Sequence, residues 1–195
     1  LSGGSAYGLA AAQGVMQALE EKGCGFDVGV AKVPIVCGAV LFDLTYGSPD
    51  VRPTQENGYT AAMNASASER RQGSIGAGTG ATVGKFFGLE YQQRSGLGSA
   101  CVELPGGVKV AALVAVNALG DVYDENGQII KGACENGKFK NTVQSVLNGA
   151  KSTVTVGRNT TIGVIVTNAE LNKEEVNRVA MVGHNGYALS IRPVH

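Results

Sequence analysis

The sharpest change in the pattern of polar and apolar positions falls at Thr160. Before it, Gly157, Arg158 and Asn159 are small or polar, a loop by composition. After it, residues 161–167 are β-branched and apolar around a single glycine, which predicts a buried strand. Thr160 therefore stands where a loop feeds a central strand. A hydroxyl at that place is held firmly and can still be reached.

The rest of the pattern alternates helix and strand. Leu9, Ala12, Val15, Met16 and Leu19 recur at helical spacing, so residues 2–23 predict a helix capped by Ser2 or Ser5 and stopped by Gly23. Its many small residues predict close packing against a sheet. Residues 33–44 form an apolar run holding one proline and one glycine, the pattern of a buried strand. Residues 46–53 read as a loop and 54–68 as a helix exposed on one side. Residues 99–104 and 108–117 flank Pro105-Gly106-Gly107 and predict a hairpin. Its second arm is apolar on both faces over residues 110–116, hence central. A further hairpin turns at Glu125-Asn126-Gly127. Residues 132–157 are polar and uneven, with a candidate helix at 139–147, and read as an exposed, mobile arm leading to Thr160. Residues 172–187 predict a helix with Asn172 as cap and Glu174 and Glu175 in its first turn.

At 195 residues, this pattern predicts a single α/β domain with a sizeable core. The 16 basic and 16 acidic residues cancel, so no basic stripe offers itself to nucleic acid or to a membrane surface. Apolar runs are too short to span a bilayer. No signal-peptide pattern opens the sequence, and Leu1-Ser2-Gly3-Gly4 reads as the middle of something. Cys24, Cys37, Cys101 and Cys134 are widely spaced, with no CxxC. Cys37 and Cys101 fall in apolar segments and read as buried free thiols of a reducing, cytoplasmic compartment. With only His184 and His195 available, the pattern does not predict a zinc site.

Residues 73–84 run Gly-Ser-Ile-Gly-Ala-Gly-Thr-Gly-Ala-Thr-Val-Gly, followed by Lys85. A phosphate loop would need glycine at Thr79 and Ser or Thr at Phe86; a dinucleotide fingerprint would need glycine at Ala81. Neither register fits well. The alternative is a backbone that passes close to a ligand or another chain, with Lys85 reaching into whatever it lines. Lys85 could equally be an ordinary solvated lysine. Asn117 ends the central strand, as a turn former or as a fixed hydrogen-bond donor over a site. Thr160 itself has several readings. Asn159-Thr160-Thr161 suits the start of a strand and fits the glycosylation acceptor pattern. It also fits an Asn-Thr bond that cleaves itself. A nucleophile elbow around Ser5 fails for want of glycine at Tyr7.

Taken together, residues 1–9, 33–43, 76–85, 96–99, 114–117, 159–162 and 191–195 resemble the self-cleaving L-aminopeptidase D-amidase/D-esterase family (peptidase family S58), which includes nylon-oligomer hydrolases. The resemblance runs along the whole chain in the same order. The glycine-lysine stretch and the Asn-Thr junction are its most specific parts. It implies a four-layer α/β/β/α sandwich of the N-terminal-nucleophile type, in a homo-oligomer. It implies a precursor cut at Asn159-Thr160, giving a larger part, 1–159, and a smaller part, 160–195. Thr160 would be the nucleophile, Asn117 an oxyanion binder and Lys85 a neighbour of the nucleophile. The substrate would be a small amine-bearing amide or peptide, and no cofactor is implied. Phe42 stands where the family usually has a site tyrosine. Family members also carry segments before Leu1 and after His195, so this sequence reads as an interior piece of a longer protein. A transferase of the ornithine acetyltransferase type and an uncleaved, non-catalytic relative are the alternatives.

The chemistry explains the residue types. A threonine hydroxyl is a weak nucleophile until a base takes its proton, and the α-amine of an N-terminal threonine is one such base. That amine titrates at about 7.7–8.0. It exists only after the cut, so the precursor would be stored inactive.

Overall fold

The computed structural model describes residues 1–154, 157 and 159–194. Arg158 of the loop before Thr160, and His195, lie outside the described residues.

A 3-10 turn at Ser5–Ala10 runs into helix α1, Ala11–Glu21. Neither Ser2 nor Ser5 caps it: Gly4, at φ 82°, occupies the N-cap with no side-chain bond. Gly23 ends it as expected, at φ 65°. Two short strands follow, β1 at Phe26–Asp27 and β2 at Lys32–Val33. Helix α2 is Gln55–Met63, closed by a reciprocal cap between Thr54 and Asn57. The small residues of α1 serve a helix contact and not a sheet. Gly14 lies against the Gln55 carbonyl of α2, and Gly58 lies against the Ala11 carbonyl. Neither site has room for a Cβ.

Residues 33–44 do not form the expected buried strand. Beyond Val33 they are extended but unpaired except for a parallel bridge between Ser2 and Val40, and Ile35 is 76% exposed. The proline and glycine in this run break a ladder that apolarity alone would favour. Only Pro34 and Leu41 are buried.

The centre of the fold is a three-stranded antiparallel sheet. Strands β3 (Thr82–Val83) and β4 (Gln93–Arg94) pair beside it. Its own strands are β5 (Gly96–Glu103), β6 (Lys109–Asn117) and, after the intervening elements, β11 (Thr160–Thr167), in the order β11-β6-β5. The hairpin and the central place of β6 match the sequence reading. Strand β11 does not: among the described residues it is an edge, with Val166 59% exposed.

Between β6 and β11 lie β7 (Asp121–Tyr123), β8 (Ile129–Lys131), β9 (Cys134–Glu135), β10 (Lys138–Phe139) and α3 (Thr142–Leu147). The expected exposed arm is thus partly interior: Ala133 and Thr142 are fully buried. The chain closes with α4, Lys173–Ser190, and β12, Ile191–Arg192, which pairs with β7. Asn172 caps α4 in a reciprocal box with Glu175.

Partners across an antiparallel ladder share a face. Thr160, Ile162 and Val164 therefore lie on the same side as Asn117, Ala115 and Leu113. On this face Leu41, Ala77, Ala81 and Ala115 form a buried cluster, joined by Leu97 and Ile162. Helix α4 packs on the opposite face, where the Tyr187 hydroxyl meets Gly163 and Ile165 meets Gly183. The four cysteines are free, and Cys37 and Cys101 are exposed, not buried. Both belong to segments whose apolar side chains are only partly covered. No helix among the described residues is long and apolar enough to cross a membrane.

Candidate active site

Asn117 is 1% exposed and organises the junction of three segments. Its Oδ1 accepts from the backbone N–H of Thr82 at 3.0 Å, from Lys85 Nζ at 2.8 Å and, more weakly, from the Thr82 hydroxyl at 3.4 Å. Its Nδ2 donates to the Phe42 carbonyl at 2.7 Å. The backbone carbonyl of Asn117 also accepts from Lys85 Nζ, at 3.1 Å. These partners fix the amide orientation. The Thr82 N–H only donates and the Phe42 carbonyl only accepts, so the oxygen must face Thr82 and Lys85 and the nitrogen must face Phe42.

Lys85 is 3% exposed. Removal from water disfavours its ammonium form and pushes its pKa down to about 7. The side chain reaches Asn117 because of Gly84. That residue has φ 72°, which lets the chain turn sharply out of β3. A Cβ there would meet the backbone of Gly132 and Ala133. The turned backbone is held by Gly84 N–H on the Gly120 carbonyl at 3.0 Å and Lys85 N–H on the Leu119 carbonyl at 2.9 Å.

Thr160 is the first residue of β11 and the ladder partner of Asn117. It is half-buried. The structure thus brings Lys85 onto Asn117, and places Asn117 opposite Thr160 on a shared face. Asn159 precedes them with its side-chain Oδ1 buried and without a hydrogen-bond partner among the described residues.

The glycine stretch works on its own chain. Gly78 packs on the backbone of Gly96 and Leu97, and Gly80 packs on the Asp43 side chain. Several of its N–H groups are spent on carbonyls nearby, as in Gly78 to Ile75 at 2.8 Å. A cavity of about 600 Å³ opens beside this stretch, lined among others by Gly3, Asp43, Tyr46, Ala77 and Gly80. Neither Lys85, Asn117 nor Thr160 lines it. It adjoins the site through Asp43, the neighbour of Phe42. No group of three or more His, Cys, Asp or Glu that could hold a metal occurs among the described residues.

Residues 1–195 match the model of peptidase family S58. The chain belongs to that family. Within it, the chain is 40% identical over 205 residues to an uncharacterized aminopeptidase of Mycobacterium tuberculosis, covering 100% of this chain and 57% of the relative. It is 33% identical over 200 residues to the 6-aminohexanoate-oligomer endohydrolase of Paenarthrobacter ureafaciens, covering 100% of this chain and 56% of that protein. The crystal structure of the PH0078 protein from Pyrococcus horikoshii OT3 has a similar fold. Its TM-score is 0.59 at 24% identity, over 93% of this chain and 45% of that one. This S58 chain spans a little over half the length of the curated relatives it matches.

Sequence reasoning missed parts of this site. Thr82 supplies an N–H and a hydroxyl to Asn117, yet in sequence it is one polar residue in a glycine run. Phe42 drew attention for a missing tyrosine hydroxyl; its contribution here is a backbone carbonyl, which no side chain reveals. Asp121 lies four positions past Asn117 and is fully buried. An acid that close to the end of an apolar strand is the one signal that could have found it.

Proposed function

We propose that this chain is the core of an amidohydrolase that cuts its own Asn159-Thr160 bond and then uses Thr160 to hydrolyse amide bonds. The observation that carries the reading is a buried lysine with a lowered pKa, bonded to the asparagine that faces Thr160 across the ladder. The family assignment supports hydrolysis of amide bonds. Its relatives, named as an aminopeptidase and a 6-aminohexanoate-oligomer endohydrolase, support small amine-bearing amides, peptides or linear amide oligomers as substrates.

In the cut, the Thr160 hydroxyl oxygen attacks the Asn159 carbonyl carbon. Neutral Lys85 takes the hydroxyl proton and returns it to the departing Thr160 nitrogen as the C–N bond breaks. An ester between Asn159 and Thr160 results, and water hydrolyses it to a free carboxylate and a free hydroxyl. The new α-amine then serves as base for substrate turnover. We assign the Asn117 amide nitrogen to the developing oxyanion, a role that its ladder position opposite Thr160 supports. In the whole protein we expect a four-layer α/β/β/α sandwich, with the open face around Leu113, Val164 and Val166 covered by a further layer, in a homo-oligomer in the cytoplasm.

N-terminal sequencing of full-length protein tests the reading. Wild type should show two chains, one starting at Thr160, and Thr160→Ala should show one. A wild-type protein that stays whole while hydrolysing amides at full rate overturns it.

A further inference from the structure

We propose that Asp121 is a positioning residue for the cut at Asn159-Thr160, acting through the segment that leads to that bond. The proposal rests on the self-cleavage reading above. Asp121 is 0% exposed. Its two oxygens accept from two backbone N–H groups that are remote from each other in sequence. Oδ1 takes Ala133 at 2.8 Å, and Oδ2 takes Thr142, the first residue of α3, at 2.7 Å. The two residues just before it hold Lys85: the carbonyls of Leu119 and Gly120 accept the N–H groups of Lys85 and Gly84. One short run, 119–121, therefore grips the lysine backbone with its carbonyls and the downstream segment with its carboxylate.

Close packing couples the two grips. Gly84 lies against Gly132 and Ala133, and Gly132 lies against the Asp121 carboxylate. After α3 the chain returns to the residue next to Lys85, where Thr153 N–H donates to the Phe86 carbonyl at 3.1 Å. The segment is thus held at 133 and 142 by Asp121 and at 153 by Phe86, the residue next to Lys85. On its far side, β11 fixes Thr160 opposite Asn117. Only an acid suits position 121. It meets two donors, and an asparagine would turn its own N–H₂ toward one of them.

That mismatch gives the test. The rate of cutting is followed by gel and mass spectrometry in the full-length precursor, beside its urea unfolding transition. Asp121→Asn should slow the cut about 10- to 100-fold in folded protein, the scale set by small misplacements of reacting groups. Ala18→Gly serves as the control, because it removes a buried side chain of α1 outside this network. It should lower stability without slowing the cut in the folded fraction. Asp121→Asn combined with Thr142→Pro should recover rate relative to Asp121→Asn alone. Proline has no N–H to oppose the asparagine and is at home in the first helical position.

A rate in Asp121→Asn equal to wild type overturns the proposal. So does a loss no larger than the folded fraction explains, or a double variant that folds and is slower than the single one. Should the double variant not fold, Asp121→Asn against Ala18→Gly decides alone. A wild-type precursor that is never cut removes the self-cleavage reading and this proposal together. A cut wild type with an unaffected Asp121→Asn removes this proposal only.

Discussion

The Nζ of Lys85 lies 2.8 Å from Asn117 Oδ1 and 3.1 Å from the Asn117 backbone carbonyl, so one asparagine holds the lysine by two oxygens. Both contacts are buried. An ammonium there gains two acceptors but loses its water, and the loss of water dominates, which is why the pKa falls to about 7. The pair reaches Thr160 through the ladder of β6 and β11.

A pH dependence follows for the cut. If neutral Lys85 takes the Thr160 proton, the rate in wild type rises with pH through a midpoint of about 7. Lys85→Arg keeps a cation that does not deprotonate and should lose the rate at every pH. Stopped samples resolved by gel across the pH range check both. A rate that falls as pH rises through the midpoint contradicts the role of base.

Stability should carry the same signature. The folded Lys85 titrates below its ordinary value of 10.5, so between about 7 and 10.5 the unfolded chain binds a proton that the folded chain does not. Stability from this group therefore rises with pH across that window and is lowest below about 7. Urea midpoints at about pH 6.5 and about pH 9 should differ in Thr160→Ala, and the difference should shrink in Lys85→Met made on the same background.

Asn117→Ala strips Lys85 and the Thr82 N–H of an acceptor and the Phe42 carbonyl of a donor. Loss of an oxyanion donor of this kind typically slows a reaction roughly 100- to 1,000-fold, and each buried partner left unmatched costs about 1–3 kcal/mol. The variant should therefore cut nearly as poorly as Thr160→Ala and unfold at lower urea. Thr160→Ala leaves the Asn117 network in place and should keep a midpoint close to wild type. Measuring cut fraction and midpoint on the two variants separates chemistry from packing.

Two glycines in the same backbone region offer a matched comparison. Gly84 has φ 72° and Gly29 φ 85°, but a Cβ on Gly84 meets the backbone of Gly132 and Ala133, whereas one on Gly29 meets nothing within 4 Å. Gly29→Ala should cost only the left-handed conformation, about 1–2 kcal/mol. Gly84→Ala should cost more than about 4 kcal/mol, because backbone must move and Lys85 with it. Equal urea midpoints for the two would show that the close approach at Gly84 is unimportant.

The crossing of α1 and α2 should be as intolerant. Gly14→Ala and Gly58→Ala each place a methyl on a backbone carbonyl of the facing helix. Each should destabilise by about 1–3 kcal/mol, and the two together by less than their sum, since one separation of the helices relieves both. Denaturant curves of the single and double variants measure this directly.

Local chemistry was enough to read much of this chain. The β5–β6 hairpin, the α4 cap at Asn172 and the strand after Thr160 all rest on turn residues, side-chain capping and β-branched runs within a few positions of one another. The resemblance to peptidase family S58 was legible for the same reason: its motifs are short and keep their order. What the sequence could not decide depended on distance along the chain. Apolarity predicted a buried strand at 33–44, but among the described residues its only strand pairing beyond Val33 is the single bridge from Val40 to Ser2. Glycines at 73–84 suggested a close approach to a ligand or to another chain, but not that residues 43, 96–97 and 132–133 of the same chain would pack against them. Lysine 85 could have been solvated. Only the packing of β3, β6 and the 119–121 turn buries it on Asn117, and burial is what moves its proton. Residue type supplies a functional group, whereas tertiary structure sets the dielectric and the partners that determine what the group can do.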